Sequence, residues 1–264
     1  MKYFIFLSVL FACSCKGRVY RASGSSMEET IKPGEPFYVK ATSRFERNDI
    51  AVFDFYGNDY SGSRDENGQF RQHWEKRIFR IIAMSGDVLE IKKDTVYLNG
   101  VPRPFPPGSK LPYRLCSRQL LEDEFVNQLN LMPYDSLLRD TFLYTGSLSA
   151  DQLSELKSQH PEIIKAVRIP FLYAGPADTA YARTSAEDHW NTSDYGPLKI
   201  PSPGEVITVN PENYKLYHNI PGIRPGENRL KEKLYFVMGD NRHGAEDSRF
   251  TGLIPASNMY GIIK

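Results

Sequence analysis

Charge of one sign is what this sequence lacks most plainly: its 264 residues carry 33 Lys and Arg against 32 Asp and Glu, a net of +1. That balance removes the electrostatic basis for proposing a nucleic-acid partner. Cysteine is scarce, with only Cys13, Cys15 and Cys116, and a chain of this length needs no disulfide framework or metal staple to hold a core. His73 and His189 show no metal-ligand spacing, so neither a metal nor any other cofactor is assigned. Internal repeats and low-complexity tracts are absent too, and the composition is that of an ordinary globular protein. A long hydrophobic run is also missing. The longest, Tyr3 to Cys15, has 13 residues, or roughly 20 Å of helix, too short for the ~30 Å hydrocarbon core of a bilayer.

That run follows Lys2 and ends in Leu10-Phe11-Ala12-Cys13, which resembles a bacterial lipoprotein box, while Ser14-Cys15 offers a second site. A lipidated Cys13 or Cys15 is therefore expected to hold the chain at a membrane, facing the periplasm of a bacterial cell envelope. A short secretory signal and a truncated membrane anchor are the alternatives, and each also puts the remainder outside the cytoplasm. With either cysteine lipidated, Cys116 has no disulfide partner within the chain.

What the sequence does have is glycine (19), proline (18) and aromatic residues, 16 Tyr among them, a mixture that favours short strands and turns. A mainly β protein is expected. Strands are read at Pro36–Val39, Ile50–Phe55, Arg77–Met84, Val88–Ile91 and Thr95–Leu98, with a turn at Lys92-Lys93-Asp94 and another at Asn99-Gly100. The polar stretch from Gly57 to Gln72 reads as an exposed loop. From about residue 101 to 200 the character changes. A proline-rich lead-in precedes a helix capped by Ser117, with Leu120, Leu121, Phe125 and Leu129 on one face, and a second helix near Ser149–Gln159 stops before Pro161. The strand pattern then returns and runs to Lys264. The expected domains are a signal or anchor over 1–15, a β core from 18–100 and 200–264, and an inserted lobe over 101–199.

Four segments carry more than a pattern: ASGSSMEETIKPGE around Ser26, RNDIAVF, FRIIAMSGD, and YFVMGDNRHGAEDSRFTGLIP near the C-terminus. In their order and separation they resemble the conserved boxes of type I signal peptidases, and HWNTSDYGPLKIPSPGEVITVNPENYKLY resembles the late insert of Bacteroidetes members. The resemblance implies a signal-peptidase-type β core with an inserted α+β lobe, and a groove in which an extended peptide or preprotein pairs with strand edges. It also implies a serine–lysine mechanism, in which a buried neutral lysine takes the proton of an attacking serine and backbone N–H groups hold the oxyanion. Ser26 matches the nucleophile and its N–H the oxyanion hole. Gly24 falls where some relatives supply a second donor. Met27, Arg80, Gly86, Asp87, Gly239, Asp240, Asn241, Arg242, Asp247 and Arg249 match positions that hold the strands around the site.

The base departs from the pattern. The family lysine lies eight residues before the aspartate of the Gly-Asp turn, which here is Phe79. The serine that orients that lysine maps to Ala245. Lys76 is the nearest substitute, but it is three residues upstream and faces the other side of a regular strand unless an odd-residue bulge intervenes. Glu29 and Ser85 each replace a usual proline. His243 lies near the site, where a polar surface turn accounts for it more simply than a dyad with Ser26 does. Three readings stay open: a signal peptidase with an unusual base, a relative with impaired or no catalysis that binds extended peptides or partner proteins, and a structural envelope lipoprotein. The missing base and partner favour the impaired and non-catalytic readings.

Overall fold

The computed structural model describes residues 18–58, 72–134, 141–169, 181–185 and 187–263. Cys13 and Cys15 lie outside them. The chain is mainly β. In order it forms strands β1 (Arg18–Arg21), β2 (Pro36–Ala41), β3 (Ile50–Asn58), β4 (Gln72–Met84), β5 (Val88–Lys92), β6 (Thr95–Leu98), β7 (Val101–Pro102) and β8 (Leu111–Ser117). Helix α1 (Asp123–Gln128), β9 (Met132–Tyr134), β10 (Phe142–Leu148), α2 (Ala150–Gln159) and β11 (Ile163–Arg168) follow. The remainder is β12 (Tyr195–Lys199), β13 (Val206–Val209), the short helix α3 (Tyr214–Tyr217), β14 (Gly226–Arg229), β15 (Leu234–Met238), α4 (Ser248–Thr251), β16 (Ile254–Pro255) and β17 (Met259–Ile263).

Seven strands make the main sheet, in the order β1-β2-β17-β3-β4-β15-β16, so the C-terminal strand β17 sits between the N-terminal strands β2 and β3, while β15 and β16 extend the sheet beyond β4. A second sheet, β12-β5-β6-β7, contains the hairpin read at Lys92-Lys93-Asp94. The third, β11-β8-β10-β9, carries α1 and α2 over its own apolar cluster, built on Leu115, Leu131, Tyr144, Leu148 and Leu156.

Strand β4 divides the main core. On one face Phe79 and Ile81 pack with Met27, Phe53, Val237 and Ala245. Ile82 and Ala83 instead join Leu89, Leu98, Ile200 and Phe236. The switch comes from a bulge, because β15 pairs Phe236 with Ala83 and Val237 with Ile81, which leaves Ile82 as the extra residue.

Two expectations change. Ser117 is fully buried and extended, paired to both Phe142 and Ile163, and its hydroxyl binds the backbone of Gln119. Strand partners on both sides hold it out of a helix, so α1 starts six residues later, with Leu120 exposed and Leu121 buried. The loop read over 57–72 is trimmed at its ends, since Gly57 and Asn58 pair with His73 and Gln72. Its centre, residues 59–71, lies outside the described residues. The second helix stands as read, with Ser149 and Gln152 forming a reciprocal capping box. Cys116 on β8 is a half-buried free thiol.

Candidate active site

Ser26 lies in the turn after β1, and its neighbours come from the far end of the chain. The Asn241 backbone N–H donates to Ser26 O at 3.0 Å, and Asn241 Nδ2 donates to Ser25 O at 3.2 Å. These bonds staple the Ser26 loop to the turn that follows β15. The Ser26 hydroxyl donates to Gly244 O at 3.1 Å, a backbone carbonyl that orients the hydroxyl but does not take its proton.

Gly239 marks where the site closes. A methyl built on it would collide with Ala245 Cβ, approach Ser26 O at 2.6 Å and reach Phe79 Cε1 at 3.5 Å. Phe79, Ala245 and the Ser26 backbone therefore meet at one point, and both side chains are buried. Phe53 stands behind Phe79 with ring centroids 6.0 Å apart. Met27 is buried in the same cluster, while Gly24 faces open space.

Lys76 does not substitute. The β3–β4 ladder runs without a break from Ile50 opposite Arg80 to Asn58 opposite Gln72, so no bulge separates residues 76 and 79. The Lys76 ammonium pairs with Asp54 at 2.7 Å and sits 4.2 Å from the centroid of the Tyr260 ring. The expected surface character of His243 is corrected: its backbone is in a turn, but the imidazole is buried, with Nε2 3.5 Å from Asp94 Oδ1. Burial disfavours the charged form of Asp94, but hydrogen bonds with His243 and Ser193 outweigh this and hold its pKa below the ordinary carboxylate value.

On the opposite face of β4 from Phe79, Arg80 makes a two-pronged bond to Asp240 (2.9 and 2.6 Å), whose second oxygen also accepts from Thr30 at 2.6 Å. Arg249 grips Asp247 in the same manner (2.9 and 2.8 Å), and Asp247 further accepts from the Gly239 N–H at 3.1 Å. Asp87 closes the turn after β4, where Gly86 has φ +95°. It binds Arg47, the Met84 N–H and Asn99, and these bonds overcome its burial and keep its pKa below the ordinary value.

The two residues that replace prolines both use groups that proline lacks. Ser85 donates its N–H to Leu234 O and accepts the Leu234 N–H on Oγ, at 2.9 and 2.8 Å. Glu29 donates its N–H to Gly108 O at 3.3 Å. Its carboxylate accepts from Gln152 Nε2 at 2.8 Å and lies 3.5 Å from Lys110 and from Lys32. Lys110 is 4 % exposed and also faces Glu28 at 3.4 Å. Held between two carboxylates, its ammonium is a donor that anchors the Ser26 loop. Sequence reasoning missed Lys110, since a lysine after Pro-Pro-Gly-Ser reads as a solvated turn residue and its partners are distant in sequence.

The fold and site define a mainly β protein that presents a loop serine against an apolar wall, braced by buried arginine–aspartate pairs. The chain belongs to the family described as "Signal peptidase, peptidase S26", which it matches over residues 1–138 and 177–264. The unmatched stretch falls among residues 101–199. The chain is also 34% identical over 85 residues to "Signal peptidase I" of Bacillus licheniformis, a match covering 31% of this chain and 38% of that relative. It thus spans well under half the length of the curated relative. Among the described residues, no helix is long and apolar enough to cross a membrane.

Proposed function

We propose that this chain is a signal-peptidase-type protein of the bacterial envelope, directed at exported preproteins, whose serine endopeptidase chemistry is impaired because the general base is absent. The observation that carries the reading is the apolar contact of Phe79 and Ala245 beside Ser26, with the Ser26 hydroxyl donating to a backbone carbonyl. Ser26 is the nucleophile position and its N–H the oxyanion donor, with Gly24 supplying no side-chain donor. Phe79 stands for the lysine and Ala245 for its orienting serine. The remaining matched residues hold the groove that binds an extended peptide. Residues 1–15 act as the signal or lipid anchor at Cys13 or Cys15 that keeps the protein at the membrane, facing the periplasm. Residues 18–100 and 200–264 form the catalytic-type core and 101–199 an inserted lobe. The second reading, a non-catalytic envelope lipoprotein that binds peptides or partner proteins, is favoured by the contrast between an intact ionic scaffold and a wholly apolar base position.

General-base assistance is worth ~10²–10⁴-fold, so cleavage of a small-residue signal-peptide substrate by wild type is expected near background. Phe79→Lys alone recovers little, because the new ammonium finds no hydroxyl at position 245. Phe79→Lys with Ala245→Ser recovers more than the two singles together, since catalytic units are strongly non-additive. Each variant is compared with its Ser26→Ala partner. Robust wild-type cleavage that disappears in Ser26→Ala overturns the impaired reading.

A further inference from the structure

The ionic scaffold behind β4 does not balance. Three guanidinium groups, Arg80, Arg242 and Arg249, stand with two carboxylates, Asp240 and Asp247, and all five residues are buried. Arg80 takes both oxygens of Asp240, and Arg249 both oxygens of Asp247. Arg242 is the odd cation, only 2 % exposed. Its Nη1 contacts the thioether of Met238 at 2.9 Å, a weak acceptor, and among the described residues its Nε has no hydrogen-bond partner. Burial, with Arg249 close by, pulls its pKa down to about 10. Arginine nonetheless keeps its charge at neutral pH, and a desolvated cation without a matching anion is a costly arrangement.

Arg242 lines a cavity of about 360 Å³, at the small end of the ~300–1,000 Å³ typical of ligand pockets. Arg103 adds positive charge to the lining, Arg47 stands there already paired with Asp87, Ile82, Leu98 and Phe105 give it an apolar surface, and none of the lining residues is a carboxylate. The cavity lies on the Ile82 side of β4, away from Phe79 and Ala245. We propose that it is a binding site for a small amphiphilic anion, whose anionic oxygens pair with Arg242 while a compact apolar body lies on Ile82, Leu98 and Phe105. Such a ligand supplies the charge that the scaffold lacks and needs no part of the peptide groove.

The test titrates the full chain with octanoate and octyl phosphate, which distinguish a carboxylate from a phosphate headgroup, and with octanol and octyltrimethylammonium as neutral and cationic controls. Binding is read by calorimetry and by methyl NMR shifts at Ile82, Val96 and Leu98. At least one anion is expected to saturate with those shifts, and the controls to bind at least ~10-fold more weakly. Arg242→Gln is expected to weaken the anion at least ~10-fold. Arg103→Glu, an exposed change that leaves the thermal transition in place, reverses a rim charge and weakens the anion independently of any folding defect in Arg242→Gln. The proposal is overturned if neither anion saturates by ~10 mM, a strength too low for a built site. Octanol binding as well as the anions, or anion affinity unchanged by Arg103→Glu and by Arg242→Gln, overturns it equally.

Discussion

Replacing Ser85 by the proline usual at this turn in the family should weaken this chain instead of stiffening it. Both backbone polar groups of Leu234, a fully buried residue, are satisfied by Ser85: its N–H donates to Leu234 O at 2.9 Å and its Oγ accepts from Leu234 N–H at 2.8 Å. Ser85→Ala removes the hydroxyl acceptor alone and leaves one buried N–H without it, at a cost of ~1–2 kcal/mol. Ser85→Pro removes the N–H donor as well, for another ~1–2 kcal/mol. A stiffer unfolded chain offsets at most ~1 kcal/mol of that loss. The net cost of Ser85→Pro is therefore ~1–4 kcal/mol, or roughly 2–16 °C in thermal midpoint at ~2–4 °C per kcal/mol for a chain of this size. Thermal unfolding followed by circular dichroism, with urea unfolding alongside, measures it. A Ser85→Pro protein that melts at or above the wild-type temperature refutes the reasoning, because it would mean that the Leu234 pairing contributes nothing to stability.

Asp247→Asn leaves Arg249 buried without its counter-charge and is expected to cost ~3–5 kcal/mol in urea unfolding, against under ~1 kcal/mol for Lys76→Ala at its partly exposed pair with Asp54. Asp87 gives the pH dependence. Its pKa is lowered from the ordinary 3.8, so the stability it contributes is present above about pH 4 and is lost as pH falls through the lower folded value. The urea midpoints of wild type and Asp87→Asn should differ by a constant amount from neutral pH to about pH 4 and converge below it. A gap that widens on acidification contradicts the assignment.

The strands were legible wherever partners are close in sequence. The Val88–Lys92 and Thr95–Leu98 hairpin follows from two alternating runs on either side of the Lys93-Asp94 turn, and α2 from a helical stretch that stops before Pro161. Long-range partners decided what could not be read. Ser117 looks like a helix cap until strands arrive on both sides of it. His243 looks like a surface residue because Asp94 lies far from it in sequence and on another strand's turn. The bulge in β4 is real but falls at Ile82, where β15 imposes it, and nothing in the β4 sequence marks that residue as extra. The neighbourhood of Ser26, Phe79 and Ala245 was readable only through the order of the four motifs, since no local pattern links a loop, a mid-sheet strand and a C-terminal turn.

The contacts of Glu29 bear on how this sequence can be recombined with others. Lys110 precedes β8 and Gln152 belongs to α2, and both bond to the loop that carries Ser26. A chimera that imports this loop from a relative with proline at position 29 would remove one of Lys110's two carboxylate neighbours and the acceptor of Gln152, while leaving both donors in place. Exchanging only the lobe would instead leave Glu29 with Lys32 alone, its exposed neighbour in the same loop. Crossover points therefore have to move residues 23–32 together with 106–159, and the serine loop and the lobe are inherited as one unit although more than 70 residues separate Lys32 from Pro106 in the sequence.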